Sequence, residues 1–184
     1  MSEYISRLQE AIASSIRGTS REALLQHPEG KWSAAEILEH LYLSYTGTVK
    51  GCERCLVAKG PLGTTQSLRQ RLGTLLIVTA GYFPRSGVKA PALVLPKGTP
   101  VEQVVSDIGK QIAVMDDLFT RCEQRHGKRA KLFNHPVLGA LTAEQWRKLH
   151  WVHGRHHVRQ ILALRSKYAA KEIAPATAGA QIGS

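Results

Sequence analysis

The chain has 184 residues, 43% of them hydrophobic, with 25 Lys and Arg against 14 Asp and Glu, for a formal charge of +11. That length and composition predict one ordinary globular domain and exclude a disordered or collagen-like chain. The longest weakly polar run, Leu72 to Phe83, is interrupted by Gly73, Thr74, Thr79 and Gly81 and ends at Pro84, short of the roughly 20 apolar residues a membrane span needs. Glu3, Arg7 and Glu10 break any signal-peptide pattern at the start. The expectation is a soluble, cytoplasmic protein without a membrane partner, and three cysteines fit reduced thiols in that compartment.

The first segment, from Glu3 to about Arg17, carries Ile5, Leu8, Ile12 and Ile16 at spacings of three and four, which line one helical face. Ser20 to Gln26 adds a short helical turn before the breaker His27-Pro28-Glu29-Gly30. Ser33 with Glu36 forms a capping-box pattern, in which side chain and backbone satisfy each other's orphan donors, and opens a periodic segment to about Lys59. Ser67 to Ala80 reads as an accessory helix, and Gly81 to Gly98, with Pro84, Pro91 and Pro96, as an irregular crossover. Thr99, with Pro100 at the first helical position and Glu102, opens a helix to about His126; Thr142 with Gln145 opens the last, to about Lys171. No strand-like alternation and no internal repeat stand out. The reading is all-α, with one domain over 1–172 and a flexible tail over 173–184, the long second connection letting the second and third major helices run parallel.

The positive charge suits either an anionic small molecule or a nucleic acid. It is spread along the chain, densest from Arg121 to Lys131, a stretch that reads as an inter-helix loop. No aromatic-interleaved basic stripe, zinc-finger spacing or helix-turn-helix accompanies it, so nucleic acid is not the expected partner.

Four of the eight histidines fall in the last helix: His150, His153, His156 and His157. His153 and His157, four apart, project from one face at adjacent turns, the way a helix presents two imidazoles to one metal. Their face also holds Trp146, His150, Ile161, Leu164 and Tyr168, so it points inward, with His156 off its centre. His40 sits at the edge of the core series Ile37, Leu41, Ser44, Thr48, and is a candidate third ligand. Buried neutral imidazoles with no paired carboxylate are costly unless something satisfies them, and a divalent cation would. A hydrogen-bonded core role for each histidine, or an exposed basic face, is the bland alternative.

The segment Trp32-Ser33-Ala34-Ala35-Glu36-Ile37-Leu38-Glu39-His40-Leu41, the stretch Asn134-His135-Pro136 through Trp146, and His153-Gly154-Arg155-His156-His157-Val158-Arg159-Gln160-Ile161 together resemble the DinB-like superfamily of metal-binding four-helix bundles. The resemblance implies an up-down-down-up bundle and a three-histidine site made of His40, His153 and His157, in agreement with the facing argument. It further implies a divalent cation (Zn, Ni, Fe or Mn) and, in some relatives, a low-molecular-weight thiol. The implied activities are thiol-dependent transfer or metal-dependent hydrolysis of a small molecule; a non-catalytic, stress-related metal- or ligand-binding protein is the alternative. Fold and site transfer better than chemistry.

The remaining candidates follow from position. Glu36 and Glu39 are near enough in sequence to hold the far nitrogen of His40, Gln160 to orient a ligand, and His150 to close the site as a fourth donor. Cys52, Cys55, Cys122 and His126 fall at one end of the fold, where small core residues are the simpler reading and a structural zinc or redox pair the sharper one. His135 either closes over the site or fixes its loop, and His27 and His126 read as loop or helix-end residues. Trp32, Trp146 and Trp151 read as core packing rather than as a stacking platform. Substrates with carboxylates suit the positive surface, and whether the domain pairs into a homodimer is left open by the sequence.

Overall fold

A computed structural model describes residues 1–83 and 90–173; the expected tail from Ala174 onward and the part of the crossover containing Pro84 lie outside the described residues. The chain is mostly helical. Its helices are α1 (Glu3–Ile16), α2 (Arg21–Leu25), α3 (Ala34–Val57), α4 (Leu68–Thr74), α5 (Val101–His126) and α6 (Ala143–Ile173). A two-stranded antiparallel hairpin, β1 (Phe133–His135) and β2 (Gly139–Leu141), precedes α6. Among the described residues, no helix is long and apolar enough to cross a membrane.

Two of the three expected capping boxes close. Ser33 Oγ accepts from the Glu36 N–H at 3.1 Å while Glu36 accepts from the Ser33 N–H at 2.7 Å, and Thr142 and Gln145 exchange the same pair at 3.2 and 3.0 Å. Each cap is worth about 1 kcal/mol. The Thr99–Glu102 box does not form. Pro100 occupies the cap position of α5 without a side-chain bond, because the Thr99 N–H and hydroxyl are both given to Glu39, at 3.0 and 2.6 Å. Glu102, the carboxylate that would accept the Thr99 N–H in the box, pairs instead with Arg21 at 2.6 Å.

The accessory helix is α4, opened by a Ser67–Gln70 box, and it widens into a π turn over Leu75–Thr79 in which the Ala80 N–H reaches Leu75 O. Gly81, at φ +68°, then turns the chain so that Phe83 lies against α6. The crossover's described part contains a 3₁₀ turn, Ala92–Val94. The hairpin corrects the expectation of no strands. Three residues a side are too few to show alternation, and Gly139 at φ +70° makes the return. The basic stretch from Arg121 is also corrected: its first part forms the last turns of α5, and only Gly127 onward is loop.

The core is built from the periodic positions. Ile5, Leu8 and Ile12 of α1, Leu38, Leu41 and Tyr45 of α3, Ile112, Met115 and Phe119 of α5, and Ile161 of α6 are fully buried. Each such side chain contributes roughly 1.5–3 kcal/mol of transfer free energy. The most extensive pairings are α3 with α5 and α1 with α6. The starts of α3 and α5 meet at Glu39 and Thr99, their ends where His126 Nε2 reaches Cys55 O at 3.0 Å. Along α1 and α6, Leu8 packs on Gly154, where a Cβ would strike its methyl, and Arg165 donates to Ser15 O at 2.6 Å. Gly154 is therefore required for close approach, directly beside His153.

Candidate metal centre

His40 on α3 and His153 and His157 on α6 bring one donor atom each to within 4.8 Å of one another. His40 Nε2 lies 3.2 Å from His153 Nε2, which lies 3.0 Å from His157 Nε2. His40 and His157 are buried and His153 is half-buried. This is the trio the sequence singled out.

The outer nitrogens fix the tautomers. His40 Nδ1 lies 2.8 Å from the carbonyl of Val94, which can only accept, so Nδ1 carries the proton and Nε2 is a bare lone pair. His157 Nδ1 lies 2.8 Å from Gln160 Oε1, with the same consequence, while the Gln160 amide N–H₂ donates to His156 Nε2 at 3.2 Å. Two lone pairs thus converge on His153 Nε2, whose single proton can satisfy only one of them. A cation satisfies all three. Zinc–nitrogen bonds of 2.0–2.1 Å in tetrahedral geometry would separate the nitrogens by about 3.3 Å, close to the 3.0 and 3.2 Å present. The residues fit a divalent metal.

Burial keeps the imidazoles in their ligating, neutral form. It lowers the pKa of His40 despite the Val94 bond; it pushes His157 to about 3, with His40 adding to the effect; and it sets His153 well below the ordinary value, reinforced by both neighbours. Trp32 packs on the His40 ring at 5.2 Å, and Phe83 covers His153 and His156 at 5.4 and 4.9 Å. Trp32 is thus a wall of the site as well as a packing residue.

The other candidates separate. Glu36 serves its cap. Glu39 does not touch His40: it is almost fully buried and accepts from the Lys97, Gly98 and Thr99 N–H groups and the Thr99 hydroxyl. Burial works against its charge, yet these bonds hold its carboxyl below the usual value. It thereby ties down the segment that follows Val94, and the Val94 carbonyl orients His40. Adjacency in sequence suggested the wrong partner because Glu39 and His40 are about 100° apart around the helix. Gln160 does orient His157, as its spacing suggested. Losing the partner that orients a ligating histidine costs roughly 10–100-fold in metal affinity, and that is the expected result for Gln160→Ala in a zinc competition titration, with far-ultraviolet circular dichroism unchanged.

His150 does not close the site. It lies buried one layer away, its Nε2 3.0 Å from Thr48 Oγ1, whose own hydroxyl bonds Ser44 O. Burial pushes His150 to about 3. Unfolded, it titrates near 6.5, so below that pH the unfolded chain binds the proton that the native state refuses. The stability at stake is fully present above about 6.5 and is lost as pH falls toward 3, by up to about 1.4 kcal/mol per pH unit. Urea unfolding of metal-free protein between pH 6 and 4.5 should accordingly show a slope shallower by about that amount in His150→Gln than in the parent.

His135 accepts from the Val137 and Leu138 N–H groups at 3.1 and 3.2 Å, so it fixes the hairpin turn rather than closing over the metal centre. His27 bonds the adjacent Pro28 carbonyl in its loop. Cys52, Cys55 and Cys122 are fully buried, and His126 is turned to the Cys55 carbonyl instead of to the thiols. Among the described residues the His40 trio is the group of three or more potential ligands within metal-binding distance, and the three thiols are free and buried. Sequence reasoning missed Val94, Phe83 and a buried Arg147–Asp116–Glu123 cluster below the site.

No curated protein and no solved structure matches the chain. A family model described as "Protein of unknown function (DUF1569)" matches residues 4–163, a span that takes in His40, His153 and His157, and the chain belongs to that family.

Proposed function

We propose that this chain is a divalent-metal protein of the DinB-like kind, and that it is an enzyme acting on a small molecule by thiol-dependent transfer or hydrolysis. The observation that carries the reading is the convergence of three imidazole Nε2 atoms, two of them with their lone pairs fixed inward by Val94 O and Gln160 Oε1. The helix contacts support an up-down-down-up four-helix bundle: α3 and α5 meet start to start and end to end, α1 runs in the same direction as α6 with Leu8 at Gly154 and Ser15 at Arg165, and His40 and Thr48 of α3 reach His157 and His150 of α6 in reverse order.

Three protein donors leave a tetrahedral cation at least one further position. His150, bonded to Thr48, does not take it, which favours turnover over a closed binding site. An all-imidazole set suits Zn, Ni or Fe better than Mn, which prefers carboxylate oxygens. When bound, such a cation supplies Lewis acidity sufficient to make water or a thiol nucleophilic near neutral pH. The chain's own part is to hold the rings neutral, to aim them through Val94 and Gln160, and to shield one side with Phe83 and Trp32.

The test is elemental analysis of untagged protein, followed by a screen of thiols with electrophiles, and of hydrolysable esters and amides, using the metal found. Near-stoichiometric metal and a turnover that chelation abolishes and re-metallation restores support the reading. A protein that takes up no metal from a divalent panel contradicts it.

A further inference from the structure

Between Glu144 and Glu172 the sequence of α6 contains no acidic residue and seven Lys or Arg. Arg147 is neutralised by Asp116 and Glu123, and Arg165 is spent on the carbonyls of Ser15 and Arg17. Arg155 and Arg159 have no ion pair among the described residues. Four residues apart, they project from adjacent turns.

Both line a cleft of about 600 Å³ between α6 and the Gly81–Phe83 segment, with His156 and Gln160 also on its lining and no acidic side chain among the described lining residues. Arg155 is pre-positioned: one terminal N–H₂ donates to Gly81 O at 3.2 Å and the guanidinium lies over the Trp151 ring at 5.8 Å. A guanidinium has five N–H donors, so most of its fork remains available. The cleft shares a wall with the metal centre. The Gln160 amide bridges His156 to His157, and the Phe83 ring covers both His153 and His156.

We propose that this cleft is an oxyanion subsite in which Arg155 and Arg159 hold a carboxylate or phosphate group of a small molecule, on the other side of the Gln160–His156 wall from the three-histidine site. The binding itself does not rest on the metal-enzyme reading. Paired guanidinium groups match the planar, two-oxygen edge of either anion, and charge-assisted bonds are about twice as strong as neutral ones. A concave site walled by Phe83 and Tyr82 suits a compact ligand better than a polymer backbone.

The experiment is calorimetric titration of the full chain with succinate and with inorganic phosphate, zinc-loaded and after chelation, followed in parallel by the Gln160 side-chain amide resonance. Saturable one-to-one binding that shifts that resonance, and that weakens at least tenfold in Arg155→Gln and in Arg159→Gln but not in the same-helix control Lys167→Gln, supports the subsite. Preference for succinate or for phosphate identifies the group held. The subsite is overturned if neither anion saturates, if Lys167→Gln weakens binding equally, or if a DNA duplex competes at lower concentration than either anion. The His153→Ala, His157→Ala variant separates the two readings. Anion binding retained there with zinc lost supports a subsite that stands on its own. Zinc bound by the parent with no anion bound under any condition overturns the subsite and leaves the metal centre intact.

Discussion

Replacing His153 and His157 together by Ala abolishes stoichiometric metal binding, and replacing His40 alone weakens it by roughly a hundredfold to a thousandfold. Zinc held by four protein ligands is worth about 10–16 kcal/mol in apparent free energy, or about 2.5–4 kcal/mol per ligand. The larger loss falls on the double variant because the pair is one unit of α6, with Nε2 atoms 3.0 Å apart. His40 arrives from α3 with its own support at Val94 O, so its removal leaves a bidentate helix site of reduced affinity. Competition titration against a chromophoric chelator reads both numbers. The variants should remain folded, since Ala is a strong helix former and each variant removes a buried lone pair from a trio in which one proton cannot satisfy both inward lone pairs. Their metal-free stability should equal or exceed that of the metal-free parent, a result that a merely structural role for these histidines would not give.

The second large effect lies below the site. Arg147 is buried, with Nε 2.7 Å from Asp116 Oδ1, one terminal nitrogen 2.7 Å from Glu123 Oε2 and the other 3.0 Å from Thr120 Oγ1. Asp116 is equally buried, and its second oxygen accepts from the Ser2 N–H at 2.7 Å. The cluster ties α6 to α5 and to the start of α1. Burial disfavours the guanidinium charge, but the two carboxylates hold it more firmly protonated than usual. Truncating one partner of such a pair leaves an uncompensated buried charge, which costs about 3–5 kcal/mol. Arg147→Met should lower the free energy of urea unfolding by that amount. Arg147→Met with Asp116→Leu should recover part of it, because a matched apolar replacement leaves less charge stranded. By contrast, removing the exposed Arg7–Glu3 pair on α1 should change stability by less than about 0.5 kcal/mol.

These two cases also mark where the sequence was readable. His153 and His157 were legible because a four-residue spacing inside an apolar series has one geometric meaning on a helix, and the caps at Ser33 and Thr142 because their partners are three residues away. His40 was legible from its place at the edge of an apolar series and from the family resemblance. What escaped depends on partners distant in the chain. The Val94 carbonyl lies 54 residues from His40, and Glu39 takes the donors of a loop about 60 residues on, which is why the Thr99 box failed. Asp116 and Arg147 sat at otherwise apolar positions as a visible signal, since a charge on a core face asks for an opposite charge from another element. The hairpin and the π turn are too short to carry a period of their own.

The Arg147 cluster and Gly154 bear on the three-histidine site by position. Gly154 lets α1 approach α6 beside His153, and Arg147 locks α6 less than two turns before it. The outward side of the same turns carries Arg155 and Arg159, so one helix presents two histidines of the candidate metal site inward and a basic cleft outward, with Gln160 between them.

The central claim is that three imidazoles of this chain share one cation. X-ray absorption at the edge of the bound metal, on protein loaded with one equivalent of zinc, tests it most directly. The expected result is a first shell of three imidazole nitrogens at about 2.0–2.1 Å plus one non-histidine oxygen donor, with the imidazole multiple-scattering signal reduced by a third in His40→Ala. A shell dominated by sulfur, or one whose imidazole signal does not change in that variant, would contradict it.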